Sequence, residues 1–166
     1  MNVTLRAETA ADISSIEAVT FAAFLNAPHT NHTEQHIVNT LRQAGKLTLS
    51  LIAEAEGRVI GHVALSPVSI SDGTRGWFGL GPICVLPEHQ RQGIGTQLMR
   101  EALLRLRAQG ASGCVVLGER AYYGRFGFRH EPALILAGVP AEYFQALTFD
   151  GPLPKGVVTY DRAFSL

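Results

Sequence analysis

Charge is scarce in this sequence. Asp, Glu, Lys and Arg make up 17% of its 166 residues, and 14 basic residues balance 14 acidic ones. With no basic arm and no acidic tail, nothing offers a phosphate backbone an extended neutralising surface, which argues against nucleic acid as a main partner. Cysteine is nearly absent. Cys84 and Cys114 sit in the apolar runs Ile83-Cys84-Val85 and Cys114-Val115-Val116-Leu117, where a thiol packs as a small hydrophobe and no disulfide framework arises. That usage points to a reducing, cytoplasmic compartment. Met1-Asn2-Val3-Thr4-Leu5-Arg6 lacks a basic stretch leading into an apolar one, and no uncharged apolar run reaches membrane-spanning length. Neither secretion nor membrane insertion is expected. There is no repeat, and Gly151-Pro152-Leu153-Pro154 reads as a loop and not a linker. The 46% of hydrophobic residues is enough for one core, so residues 1–166 are expected to form a single domain.

What is present is periodic. Val3-Thr4-Leu5 alternates like a strand, and Thr9-Ala10-Ala11-Asp12 has the form of a capping box before a helix with Ile13, Ile16, Val19 and Ala23 on one face. A second helix is predicted from near Asn31 or Thr33, burying Ile37, Val38 and Leu41 and stopping at Gly45. Strands are predicted over Leu47 to Ala53, Val59 to Ile70 and Trp77 to Val85, joined through Glu56-Gly57 and Asp72-Gly73 as an antiparallel meander. From Gly93 the period changes: Ile94, Leu98, Ala102 and Leu106 mark a helix ending at Gly110, and Cys114 to Leu117 reads as a short buried strand. A strand, a long helix and a second strand make a βαβ crossover, so the two strands should be parallel and a ligand site should lie at their C-terminal ends. Beyond it the pattern predicts a short helix over Tyr122 to Phe126, strands near Leu134 to Leu136 and Val157 to Tyr160, and a helical piece over Ala141 to Ala146.

Gln90-Arg91-Gln92-Gly93-Ile94-Gly95-Thr96 lies between the buried strand and the long helix. The first N–H groups of a helix have no internal partner, the helix dipole places about half a positive charge there, and two glycines let a ligand approach the backbone. Arg91 adds a full charge, so a diphosphate suits the segment. A glycine-lined helix start with nothing bound is the plainer alternative. A Walker loop would need Gly-Lys-Ser/Thr, and Gly93-Ile94-Gly95-Thr96-Gln97-Leu98 lacks the third glycine of a dinucleotide fingerprint.

Ile83-Cys84-Val85-Leu86-Pro87-Glu88-His89-Gln90-Arg91-Gln92-Gly93-Ile94-Gly95 resembles the acetyl-CoA motif of the GNAT N-acetyltransferase superfamily, Gln/Arg-x-x-Gly-x-Gly/Ala after a strand and a Pro-containing loop. Tyr122-Tyr123-Gly124-Arg125-Phe126-Gly127-Phe128 resembles the family's Phe-Tyr-x-x-x-Gly-Phe, and the likeness extends over nearly the whole chain, towards the bacterial branch of predicted N-acetyltransferases. The resemblance implies an α/β (α+β) fold with a mixed, mostly antiparallel sheet, a central parallel βαβ crossover and helices on both faces. It further implies acetyl-CoA as co-substrate. The N–H of Ile83 would polarise the thioester carbonyl and that of Val85 would bind the pantetheine arm. The N–H groups of Arg91, Gln92, Gly93, Ile94, Gly95 and Thr96 would hold the pyrophosphate, with Arg125 a further phosphate contact or a solvated helix residue.

Acetyl transfer to an amine needs a free amine, a stabilised oxyanion and a proton for the departing thiolate. Tyr123 holds the family's tyrosine position and is the candidate acid, or else an aromatic packing residue; Tyr122 is expected in the core. Glu119, His62, His130 and a water chain all remain open as the base. His29, His32 and His36 form a cluster, but His32-Thr33-Glu34-Gln35-His36 does not match H-E-x-x-H, so no metal is expected. They are read as exposed loop residues or, by resemblance, as neighbours of the acceptor. Cys84 reads as a structural thiol and not an acyl-carrying nucleophile. The neutral charge favours a small amine acceptor over a polyionic one, and the resemblance allows a homodimer. The rival class is an acyl-CoA-binding or sensor module without catalysis.

Overall fold

The computed structural model describes residues 1–28 and 30–165. Strand β1 (Thr4–Ala7) runs into a 3-10 turn at Ala10–Asp12. There Asp12 accepts the Thr9 N–H at 2.7 Å and a bidentate pair from Arg6 at 2.8 and 3.0 Å. Arg6, followed by the Thr9 N–H, holds the Asp12 carboxyl far below the usual carboxylate range and fixes the start of helix α1 (Ile13–Phe24). Helix α2 (Glu34–Gln43) follows, with Ile37, Val38 and Leu41 buried and Gly45 at φ +70 just beyond. Ile16 of α1 and Val38 of α2 pack on Ile52 and Ala64, so both helices cover one face of the sheet beneath them.

That sheet begins as the expected meander. Strand β2 (Leu49–Ala55) pairs antiparallel with β3 (Arg58–Pro67). The strand predicted from Val59 to Ile70 is broken at Val68, because β4 (Ser69–Ile70) leaves for a second sheet. Strand β5 (Trp77–Val85) returns antiparallel to β3 with Val63 opposite Ile83 but Leu65 opposite Leu80, so β5 carries an extra residue around Gly81-Pro82. Proline has no N–H to give the ladder, which makes this the natural place for a bulge. Helix α3 (Ile94–Ala108) buries Leu98, Met99, Ala102 and Leu106 against Leu51, Ala53 and Val63, on the face opposite α1 and α2. Strand β6 (Gly113–Leu117) then lies parallel to β5, as the crossover requires.

The remainder is α4 (Arg120–Gly124), β7 (Leu134–Ile135), β8 (Phe144–Thr148) and β9 (Gly156–Thr159). The large sheet has the order β1-β2-β3-β5-β6-β8, and β4-β9-β7 form a small second sheet. The helix expected over Ala141 to Ala146 is a correction: only Ala141–Tyr143 turns, as a 3-10 segment, and Phe144 onward is strand. Helix-forming Ala, Glu and Gln are overridden because β8 covers the free edge of β6 from Gly113↔Thr148 to Leu117↔Phe144 and buries Phe144 and Ala146. Among the described residues, no helix is long and apolar enough to cross a membrane.

One feature of the sheet positions the site. Strands β5 and β6 pair only from Trp77↔Gly113 to Gly79↔Val115. Past Gly79 the bulge takes β5 away, while β6 stays bonded to β8 as far as Leu117. The C-terminal halves of two parallel strands are thereby left apart.

Candidate functional site

A cavity of about 620 Å³ opens where β5 ends and α3 begins. The Leu86 N–H bonds to the Ile60 carbonyl of β3 at 2.8 Å. Strand alternation therefore turns the N–H groups of Val85 and Ile83 the other way, to the open side. The Val85 carbonyl faces that side too and accepts Gln90 Nε2 at 3.0 Å, tying the loop to the strand end. In this loop Arg91 has φ +64 and Gly93, the residue before the helix, φ +80. A left-handed conformation is ordinary for glycine and strained for arginine, and such strain gathers at ligand sites. The first helical bond is from the Gln97 N–H to the Gly93 carbonyl, 3.0 Å. The N–H groups of Ile94, Gly95 and Thr96 precede it, with no side-chain cap, and form an anion-binding end on the cavity wall.

Of the residues expected at a cofactor, Ile83, Val85, Arg91, Gly93, Ile94, Gly95, Thr96 and Arg125 all line this cavity; Gln92 is exposed and does not. The Arg125 guanidinium lies 5.5 Å from the Tyr122 ring centroid and 5.7 Å from that of Phe126. Stacked there, and without a carboxylate partner among the described residues, it is a preorganised cation at the rim. Tyr122 was expected in the core. It lines the cavity instead, and a Cβ built on Gly95 would stand 3.4 Å from its hydroxyl.

Tyr123 faces a second cavity, of about 610 Å³, which shares Phe24 and Ile83 with the first. Its ring packs edge-on to Tyr122 and Phe128, with centroids at 5.0 and 6.1 Å. It also lies over Gly118, where any Cβ would come within 2.5 Å of the ring. Burial, and secondarily the neighbouring Tyr122, push the Tyr123 phenol up to about 12, so it is protonated at neutral pH.

The other expected residues separate from the site. His62 is fully buried, lines neither cavity and meets Ser50 Oγ at 2.7 Å through Nε2. Burial lowers its imidazole to about 4. Ser50 also bonds to Glu8, which Arg42 holds at 2.7 and 2.8 Å, making a polar chain between the sheet and α2. Glu119 and His130 line neither cavity. Cys84 does touch the first cavity, but burial pushes its thiol up to about 12, which leaves no thiolate to act as a nucleophile. His32 and His36 are exposed and line neither cavity, and His29 lies outside the described residues. Among the described residues no group of three or more His, Cys, Asp or Glu is arranged to hold a metal ion. Tyr122 on the first cavity and the walls of the second, including Glu34, Leu136, Tyr160 and Phe164, carry no local sequence signal that marks them as site residues.

Comparison with known proteins agrees with this geometry. A family model described as an acetyltransferase (GNAT) domain matches residues 47–130. The chain is 40% identical over 114 residues to the uncharacterized N-acetyltransferase YhbS of Escherichia coli, covering 68% of each sequence. A solved GNAT family acetyltransferase from Brucella melitensis, in complex with acetyl-CoA, is 46% identical and superposes with a TM-score of 0.88 over 98% of both chains. The structure of Escherichia coli YhbS in complex with CoA superposes with a TM-score of 0.90 at 31% identity, covering 100% of this chain and 93% of that one. A divergent pair of parallel strands, a helix start open to an anion and these matches lead to one assignment: the chain belongs to the GNAT family of N-acetyltransferases.

Proposed function

We propose that the protein, acting as one catalytic domain over residues 1–166, transfers the acetyl group of acetyl-CoA to the primary amine of a small molecule. The observation that carries this reading is the gap between β5 and β6, with the open start of α3 at its mouth and a second cavity joined to it at Ile83. Pyrophosphate sits on the N–H groups of the Arg91 to Thr96 loop, with Arg91 and Arg125 as counter-charges. The pantetheine arm follows β5 by pairing with the Val85 N–H. The relatives solved with acetyl-CoA and CoA support that ligand.

The chemistry follows from the groups at the junction. A neutral amine nitrogen attacks the thioester carbonyl, and the Ile83 N–H stabilises the oxyanion. The C–S bond then breaks. Tyr123 donates its phenolic proton to the departing sulfur and recovers one from solvent, while the new ammonium loses its proton to water. Of the side chains expected as base, Cys84 is held protonated and His62, Glu119 and His130 line neither cavity, while His89 lines the first cavity beside the loop. Two buried free thiols fit a reducing cytoplasm.

The test is binding followed by turnover. Calorimetry is expected to show acetyl-CoA binding in preference to ATP and NAD, and a thiol-release assay over a panel of amines is expected to show protein-dependent CoA release. Tight acetyl-CoA binding with no release on any amine would establish the sensor module in its place.

A further inference from the structure

The second cavity has a chemistry of its own. Its walls are apolar over Phe24, Ile37, Leu80, Leu117, Leu136 and Phe164, and among the described residues that line it Glu34 is the only Asp, Glu, Lys, Arg or His. Glu34 stands in the first turn of α2. The Thr30 hydroxyl donates to its Oε2 at 2.5 Å, while Oε1 is shielded from water without a partner among the described residues. An ionised oxygen out of water and without a donor is costly, and a ligand that supplies the donor recovers that energy. The Tyr160 hydroxyl, on another residue lining the same cavity, is also buried and has no partner among the described residues. Two polar atoms without partners thus belong to one apolar chamber, and that chamber meets the cofactor cavity at Ile83.

We infer that the acceptor is a monocationic amine on an aromatic or aliphatic body without an acidic group, that Glu34 binds its ammonium group and sets this preference, and that the bound ammonium gives one proton to solvent water before its nitrogen, then neutral, attacks the thioester. This rests on the acetyl-transfer reading of the site. An α-amino acid of the same size brings a carboxylate that no cation among the described lining residues can match and that Glu34 repels. A polyamine brings further charges that must lie against Ile37, Leu80 and Leu136. A single ammonium on an apolar frame satisfies the one carboxylate and fills the rest.

The decisive comparison uses 2-phenylethylamine against phenylalanine and spermidine, in the wild-type protein and in Glu34→Gln. Thiol release gives kcat and KM, and calorimetry gives amine binding to the CoA-loaded protein. Phenylethylamine should exceed phenylalanine by ~100-fold or more in kcat/KM, the penalty for a like charge in a desolvated site. Glu34→Gln should lower kcat/KM for phenylethylamine by ~10–100-fold, mainly through KM, as loss of a hydrogen bond to a charged group implies. It should narrow the gap to phenylalanine and leave the acetyl-CoA Kd unchanged. Glu34→Asp, which keeps the charge, should recover part of the loss. Equal or better use of phenylalanine, or a Gln variant with unchanged KM, overturns the assignment of Glu34. If Glu34→Gln fails to fold, the wild-type comparison of the two amines still decides. Thiol release that ignores Glu34 leaves acetyl transfer standing and removes this acceptor class. Glu34-dependent amine binding without release does the opposite, and neither binding nor release overturns both.

Discussion

A valine at position 95 should separate the fold from the ligand site. A Cβ on Gly95 would lie 3.4 Å from the Tyr122 hydroxyl and 3.9 Å from Val85 Cγ2, both ordinary contacts, and Gly95 is not among the positive-φ glycines. Gly95→Ala should therefore fold well. The gain in helix propensity, ~1 kcal/mol, corresponds to a rise in Tm of ~2–4 °C for a chain of this length. Valine adds two further methyl groups over the N–H groups of Gly95 and Thr96, where the proposed binding mode brings the pyrophosphate oxygens within hydrogen-bond distance. Losing two charge-assisted bonds at ~1.5–3 kcal/mol each predicts a Kd for acetyl-CoA raised by ~10²–10⁴-fold. Calorimetry on the alanine and valine variants, with thermal melts as the folding control, reads both quantities. Gly93 makes the contrast. Nothing lies within 4 Å of its missing Cβ, but its φ of +80 costs an L-residue ~1–2 kcal/mol, so Gly93→Ala should lower Tm by ~2–8 °C. A Gly95→Val protein that melts like the wild type and binds acetyl-CoA with unchanged affinity would refute the placement of the pyrophosphate.

The two adjacent tyrosines should behave differently. Tyr123→Phe is expected to reduce kcat by ~10²–10⁴-fold, the usual loss of a general acid, with the acetyl-CoA Kd held, whereas Tyr122→Phe should raise that Kd with a smaller change in kcat; a Tyr123→Phe enzyme with full kcat removes the phenol from the chemistry. His62 predicts an acid-sensitive fold. An unfolded chain binds a proton near pH ~6.5 that the native state refuses until about 4, so stability is complete above the upper value and falls as pH drops through the window. The total is ~3 kcal/mol from the shift, and Glu8 and Asp12, with lowered carboxyl pKa values, begin to lose their contributions only at the acid end of this window and below it. Denaturant melts of His62→Gln between pH 7 and 4 should lack that part of the slope, and an unchanged slope would assign it elsewhere. Gly113→Ala should destabilise by ~1–3 kcal/mol through overpacking, because its Cβ would come within 2.4 Å of the Trp77 ring; an unchanged midpoint in urea would show that the ring can move.

Local signals were legible in the sequence and tertiary ones were not. Gly93 and Gly95 could be read because their position between a buried strand and an amphipathic helix already determines where the free N–H groups lie. The parallel pairing of β5 with β6 could be read for the same reason, since a right-handed crossover leaves little choice. Tyr122 and Tyr123 could not be told apart: neighbours on a helix point about 100° apart, and only the packing of α4 decides which cavity each meets. Glu34 has the sequence appearance of a first-turn helix carboxylate, favoured there by the dipole whatever else it does. Its role depends on residues from β5, β6 and the segments around β7 and β9, which no local pattern brings together. The helix expected over Ala141 to Ala146 failed at Phe144 for a related cause, because the strand state from there on is imposed by the edge of β6 and not by local composition.

Transfer of the acetyl group shows itself in the stoichiometry of the products. With radiolabelled acetyl-CoA and a competent amine, acetyl transfer should yield equal amounts of acetylated amine and free CoA thiol, both dependent on the protein. Thiol release without acetylated amine, or saturable acetyl-CoA binding with neither product, would contradict it.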